Sequence, residues 1–508
     1  MTPAPHVLAA LFAAPAPAPA VDPDLVGMPG MPDVSAGTAP APADGAPAPA
    51  PPTPPPPPPP PIGPSETRFG ATVSARVDTD LADDGGGEDT VESHLRFDLE
   101  LATRRSPRTT ALVAGRISHE ARTPDAAFDG GRAAALAELR EARLSWQGDG
   151  VGLDVGQLFL RWGVADAVSP NDVLNPQDFL DPAPVSFETP MLPVPAVRLT
   201  ASPGDFAFEL AVVPFFVPHR AALFGSDWAP VGGDAPTAGL LGTLGLLIGP
   251  EADDDAWALF TAPRPPDESP RNASVGTRVG WHGPGLDLHL NAAHTWDRLP
   301  AVRFDPALGD FLAAARANDT GTLLRLYPDV QTRLAGGAPL LDSRYHRLDL
   351  VGLDLAWAVG DVLVKAEAAH SFHRTLYRHD FSPTRVPSLS YTVGADWMPH
   401  PDVTATLEVF GLRPWEAASG GYLYVGRHLV QATGHLRWVL IDARLTADVI
   451  GQYGLTQEDH TVAPSLALTV TEGQTLSAGV YVMGGPRDTL GGVFDRNDAG
   501  WLRWVGAW

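Results

Sequence analysis

The chain has 508 residues, no cysteine, 51 glycines, 54 prolines and a formal net charge of −25. Zero cysteine excludes thiol catalysis, a disulfide scaffold and cysteine-ligated zinc, and the acidic balance argues against nucleic acid, whose phosphates need a basic face. No run of 18 or more apolar residues occurs, which excludes a transmembrane helix but not a transmembrane barrel, whose signal is weak in each segment.

Residues 1–64 hold 23 of the prolines, with an unbroken run from Pro54 to Pro61. Such a run lacks backbone donors and stays in extended polyproline II, at about 3.1 Å per residue. Residues 21–64 read as a disordered Pro/Ala-rich spacer. Residues 1–20 carry a short apolar core, Val7 to Ala14, followed by small residues suited to cleavage, but no Lys or Arg precedes Arg68. They read as a degraded signal peptide or as the product of a misplaced start codon.

From Thr67 the period becomes two. Phe69, Ala71, Val73, Ala75 and Val77 alternate with Arg68, Gly70, Thr72, Ser74, Arg76 and Asp78, and Leu95, Phe97, Leu99 and Leu101 alternate with His94, Arg96, Asp98 and Glu100. Strict alternation puts one apolar and one wet face on a strand. The same pattern predicts strands at 67–79, 90–104, 108–121, 135–147, 150–162, 191–202, 205–216, 273–282, 285–297, 344–358, 361–374, 387–398, 401–412, 427–439, 441–453, 461–471, 474–484 and 498–508. That is about eighteen, with sixteen as the alternative count, and most reach the roughly 9–11 residues a tilted strand needs to cross a bilayer.

The links are segregated. After even-numbered strands they are short, as at Gly148-Asp149, Pro203-Gly204, Gly283-Pro284 and Pro399-His400. After odd-numbered strands they are longer, 163–190, 217–272 and 299–343 above all. Tight turns on one rim and large loops on the other are the layout of an outer-membrane barrel, and an even strand count puts both termini on the periplasmic side. Residues 65–508 are therefore expected to form an all-β, closed antiparallel transmembrane barrel, since so large a sheet must close or be covered. Trp146, Trp281, Trp357, Trp397 and Trp438 fall beside the short turns, where an interfacial girdle belongs.

The last strand ends Trp504-Val505-Gly506-Ala507-Trp508. Here the sequence resembles Gram-negative outer-membrane barrels, whose final strand closes on Phe or Trp. The resemblance implies that Trp504 and Trp508 are read by the barrel assembly machinery. Between 141 and 300, segments such as Gly156-Gln157-Leu158-Phe159-Leu160-Arg161-Trp162-Gly163, Ser169-Pro170-Asn171-Asp172-Val173-Leu174-Asn175-Pro176 and Leu192-Pro193-Val194-Pro195-Ala196-Val197-Arg198-Leu199 are similar to a poorly characterised group of porin-like outer-membrane proteins. That resemblance implies passage of some solute and names no binding residue.

Alternation places Arg96, Asp98, Glu100, Arg116, Glu141, Arg143, Arg198, Glu209, Arg278, Arg444, Asp448 and Arg503 on the lumen wall, with Lys365, the sole lysine, Glu367 and Glu408 on the same side. The wall is nearly charge-balanced, and either lines a water-filled pore or pairs internally to brace the barrel. In general porins the loop after strand five folds inward. By resemblance, 163–190 is the constriction candidate, with Asp166, Asp172, Asp178, Asp181 and Glu188 as an acidic ring that favours cations, or else a solvated outer loop. Loop 217–272 contains the apolar run Leu240 to Ile248, which either tucks into the barrel mouth or meets a greasy ligand. In 299–343, Phe311 to Arg316 and Leu323 to Leu326 read as short cap helices.

No nucleophile elbow, phosphate loop or His-Glu-x-x-His motif occurs, so neither an enzyme nor a cofactor is expected. His370, His373 and His379 form the densest histidine group, but His370 and His373 face opposite sides of a strand, and no metal site is expected. The leading function is a cation-leaning porin-like channel for small hydrophilic solutes or ions. A gated transporter of hydrophobic molecules and a non-transporting surface anchor stay open beside it. Expected partners are outer-membrane lipids, the assembly machinery, small solutes, and a periplasmic or cell-wall contact through the proline spacer.

Overall fold

The computed structural model describes residues 66–81, 91–122, 133–179, 183–184, 191–221, 264–335, 341–378, 382–416, 420–441, 443–486, 489–495 and 497–508. The proline-rich segment, the run Leu240 to Ile248, Asp181, Glu188, His379 and Asp442 lie outside them.

Eighteen strands make one antiparallel sheet that closes on itself. They are β1 (Thr67–Asp80), β2 (Val91–Ser106), β3 (Thr109–Arg122), β4 (Ala133–Gln147), β5 (Val151–Leu158), β6 (Val194–Ala201), β7 (Phe206–Val213), β8 (Ser274–Gly283) and β9 (Leu286–Trp296). The second half comprises β10 (Arg347–Val359), β11 (Val362–Tyr377), β12 (Pro383–His400), β13 (Val403–Pro414), β14 (Leu429–Leu440), β15 (Leu445–Gly454), β16 (His460–Thr471), β17 (Gln474–Gly484) and β18 (Ala499–Ala507). Each strand pairs with its neighbours in sequence. Closure comes from β18 on β1, with Thr72 opposite Ala507 and Asp80 opposite Ala499, and the Trp508 amide donates to Ala71 O at 2.9 Å. No edge is left unpaired, which is how a sheet of this size avoids templating aggregation.

The alternation reads out as two different solvents. Leu95, Val113, Leu290, Val393, Leu407 and Leu466 point outward and are exposed, as are Trp146, Trp281, Trp357, Trp397 and Trp438 beside the short turns. The ionised set points inward and pairs there. Arg116 meets Asp98 at 2.6 Å, Arg198 meets Asp154 at 2.7 Å, Arg278 meets Asp354 at 2.8 Å, and His435 meets Asp448 at 3.0 Å. Arg143 is 3.4 Å from Glu141.

Two sequence expectations need correction. The fifth strand stops at Leu158 instead of running to 162, because Leu160, Trp162 and Leu174 bury together inside the barrel and pull the chain off the wall. The fifteenth strand starts at Leu445, not 441. Ile441 and Ala443 have positive φ (48° and 61°) in a turn, a conformation incompatible with a strand. Arg444 consequently sits exposed in that turn, on the short-link rim, and not on the lumen wall.

Two helices lie in the long link after β9: α1 (Pro306–Arg316) and α2 (Thr320–Ala335), each longer than the sequence suggested. Asp305 caps α1 by accepting from the Ala307 amide at 2.9 Å, with Pro306 at the first helical position, where its missing N–H is harmless. Leu308, Phe311, Leu312 and Val330 pack on Leu376, Tyr377 and Val386 at the long-loop ends of β11 and β12.

Candidate functional site: a loop docked across the lumen

The chain leaves β5 and turns into the barrel. Asn175 holds the two roots of this loop together. Its Oδ1 accepts from the Leu160 amide at 2.6 Å, and its Nδ2 donates to Leu192 O at 2.8 Å. Trp162 lies in the apolar cluster of Leu158, Leu174, Val194 and Val213, and its indole N–H donates to Glu209 Oε1 on β7 at 2.8 Å. The ring rests against Gly276 of β8. A Cβ at that glycine would collide with the Trp162 ring and stand 2.8 Å from Leu174 Cδ1, so close approach of the loop to the wall requires glycine here.

The tip is fastened on the far side. Glu367, on β11, accepts from the amides of Val164 and Ala165 at 2.5 and 2.6 Å, from Ser169 Oγ at 2.8 Å, and from the amide and Nδ2 of Asn171 at 3.4 and 3.2 Å. Glu408, on β13, accepts from the amides of Asp166 and Ala167 at 3.0 and 2.8 Å. Thr392, on β12, donates to Val168 O at 2.6 Å. In a ring of eighteen, β5 and β13 stand eight places apart, nearly opposite, so the loop spans the interior. Two buried carboxyl groups thus accept from five and two donors of the loop, as buried polar groups require.

Of the five acidic residues expected to ring this loop, three are described, and each has a distinct neighbourhood. Asp166 pairs with Lys365, which also lies 3.0 Å from Asp396 and 3.1 Å from Glu408. One ammonium therefore faces three carboxylates. Asp178 pairs with Arg220, whose Nη1 also meets Glu138 at 2.5 Å. Asp172 sits near Arg161 and Arg298. Burial inside the barrel raises its pKa to about 8, against the opposing pull of Arg161. The loop does not present a uniform row of free carboxylates. Its net negative charge concentrates where Asp166 meets the β11–β13 wall.

Above the tip, toward the long loops, Asp172, Asn175, Asp297, Arg298 and Arg374 line a cavity of about 90 Å³. Arg298 is buried, which lowers its pKa to about 10, and it donates to Leu174 O and Val217 O.

Sequence reasoning placed Lys365, Glu367 and Glu408 on the inner face but gave them no role in holding the loop. It named neither Asn171, Asn175 nor Arg298 as a site residue. The missed signal is compositional: isolated inward Glu and Lys on β11 and β13, across from a loop that carries Asn171 and Asn175.

No protein-family model matches the chain, and no curated protein matches it. Among solved structures it is similar to Acinetobacter baumannii OccAB4, at 12% identity over 88% of this chain and 99% of that one, with a TM-score of 0.44. It is also similar to Pseudomonas aeruginosa OccK5 (10% identity, 87% and 97% covered, TM-score 0.42) and to a mutant of the Rh. blastica porin (12% identity, 87% and 100% covered, TM-score 0.35).

Proposed function

We propose that this chain is an outer-membrane porin-like channel that passes small hydrophilic solutes or ions and leans toward cations. The observation that carries the reading is the combination of an apolar exterior, a charged interior and one loop pinned across that interior. An exterior of Leu, Val and Trp on a closed barrel suits lipid, while paired inner charges suit water. A loop fastened to the far wall by Glu367 and Glu408 is held in place and does not float as a mobile plug; the proposed pore is a passage narrowed beside it. The cation preference follows from the excess of carboxylate around Lys365, since a ring of like charge at a constriction repels co-ions. Planar-bilayer recording tests the reading. Steady conductance with a cation-selective reversal potential supports it, and a folded barrel that conducts nothing rejects it. Trp504 and Trp508, whose ring centroids stand 6.3 Å apart at the closing strand, are proposed as the signal read by the assembly machinery. Substitution of both should lower the yield of inserted barrel.

A further inference from the structure

At the long-loop end of β1 and β2, three inward side chains converge. The register sets Arg76 opposite His94 and Asp78 opposite Glu92, and places Glu120 of β3 opposite His94 on its other side. His94 Nε2 lies 3.2 Å from Asp78 Oδ2 and 3.4 Å from Glu92 Oε2. It also lies 2.9 Å from the Arg76 Nη2, and Arg76 Nε donates to Asp78 Oδ2 at 2.8 Å. Asp78 and Glu92 are buried, Asp78 to 3% exposure, and Asp78 Oδ1 has no hydrogen-bond partner.

Protons alone leave a conflict at the 2.9 Å contact between Nε2 and the Arg76 guanidinium. A ring nitrogen carries either one lone pair or one N–H. As a lone pair, Nε2 accepts from Arg76 but faces two carboxylate oxygens that repel it. As an N–H, it serves a carboxylate but opposes the guanidinium N–H. A single cation at the centre of Nε2, Oδ2 and Oε2 removes the conflict, because all three then direct lone pairs at it. The spacing fits. For metal–ligand bonds of about 2.0–2.1 Å, a tetrahedral ion separates its ligands by roughly 3.3–3.4 Å, close to the two separations found. The other ring nitrogen, Nδ1, points to Glu120 Oε1 at 3.9 Å. A carboxylate on that side, once closed to hydrogen-bond distance, is the kind of outer partner that fixes the tautomer and aims Nε2 at a metal.

We propose that Asp78, Glu92 and His94 form a divalent-metal site on the lumen wall, for a first-row ion such as Zn²⁺, with Arg76 as the cation it displaces. One imidazole and two carboxylates suit Zn²⁺ better than Mg²⁺ or Ca²⁺, which prefer oxygen ligands throughout. Three protein ligands leave a fourth position for water or a passing solute. Glu120 acts as a positioning residue. The sequence alone had offered His370, His373 and His379 as its densest histidine group; His379 lies outside the described residues. On β11 a bulge between Ser371 and Arg374 interrupts the alternation between His370 and His373; His373 is exposed, and His370 Nδ1 accepts from the Trp415 indole N–H at 3.2 Å.

The test is titration of Zn²⁺ into the untagged, full-length chain in detergent, followed by calorimetry, with Co²⁺ as a spectroscopic probe. The site predicts one saturable Zn²⁺ per folded barrel and the visible bands of four-coordinate Co²⁺. Binding should be lost in His94→Gln and Asp78→Asn, weaken about tenfold or more in Glu120→Gln, and tighten in Arg76→Gln. His294→Gln, at an exposed His–Asp pair, should leave it unchanged. Heat-modifiable gel migration reports whether each variant is folded, and Glu92→Gln supplies a third ligand variant. Absence of saturable binding to the folded wild type, or unaltered affinity in folded His94→Gln, Asp78→Asn or Glu92→Gln, overturns the proposal.

Discussion

Glu367 Oε2 accepts a 3.2 Å hydrogen bond from the Asn171 side-chain amide, joining a strand of the barrel wall to a loop that starts six strands away. Asn171 also donates to Leu353 O at 3.1 Å, so it bridges β10 and β11 while it anchors the loop. Five donors converge on this one carboxylate. At a net contribution of about 1 kcal/mol each, Glu367→Ala should shift loop docking by about 3–5 kcal/mol. The barrel itself should persist, because the pairing of β11 with its neighbours does not use the Glu367 side chain. Limited proteolysis should then cut between 164 and 171 in the variant while the wild type resists there.

Lys365 is the cation that Asp166, Asp396 and Glu408 share. Lys365→Met leaves those carboxylates facing one another, and breaking a buried pair from one side typically costs about 3–5 kcal/mol. Selectivity should move in the same stroke. The reversal potential in a salt gradient should shift further toward the cation limit than in the wild type, and a shift toward anions would contradict the assignment of Lys365 to the constriction.

Asp172 should give the proposed channel a pH dependence. Its folded-state pKa of about 8 lies above the ordinary carboxylate value. Below pH 8 the group is mostly protonated, and above it adds a negative charge beside the loop tip. Cation preference should therefore rise through pH 8. The sign for stability is opposite. A raised folded pKa favours the protonated folded state, so this contribution is complete below about pH 4 and fades as pH climbs through 8. Asp172→Asn should flatten both trends, as measured by reversal potential and thermal unfolding from pH 5 to 9.

Two glycines should report on loop seating. A Cβ at Gly352 would overlap the Asn171 side chain, with Cγ at 2.9 Å, and one at Gly276 would overlap Trp162. Overpacking of this kind costs about 1–3 kcal/mol, and yielding of the loop relieves it. Because the chain lacks cysteine, Ala167→Cys makes a clean reporter at a buried position. Its thiol should react slowly in the parent and faster when Gly352→Val is added.

The barrel was legible because its physics is local and repetitive. Alternation in segments such as Leu286 to Leu290 gives two faces, and Pro203-Gly204 marks a tight turn in which Gly204 adopts φ +62°. Every one of the eighteen strands lies where the period-two pattern placed it, within a few residues. The docking of the loop was not legible in this way. Nothing between 160 and 175 announces that Val164 will bond to a carboxylate some two hundred residues away. Period two puts Glu367 inside but cannot say what it meets there. The same holds for His94. Alternation turns it toward the lumen, but only the β1–β2 register reveals that Asp78 and Glu92 stand beside it. Acidity of the loop was a partial guide, since Asp166 and Asp178 are each matched by a cation from elsewhere in the chain.

The account stands most directly on whether the docked loop narrows an open pore. Single-channel conductance of the wild type and of a Glu367→Ala, Glu408→Ala double variant, recorded side by side in a planar bilayer, measures this. The account predicts steady, cation-selective conductance in the wild type and a larger, less selective conductance once the loop is released. A wild type that stays silent as a folded barrel, or a double variant with unchanged conductance, would contradict it.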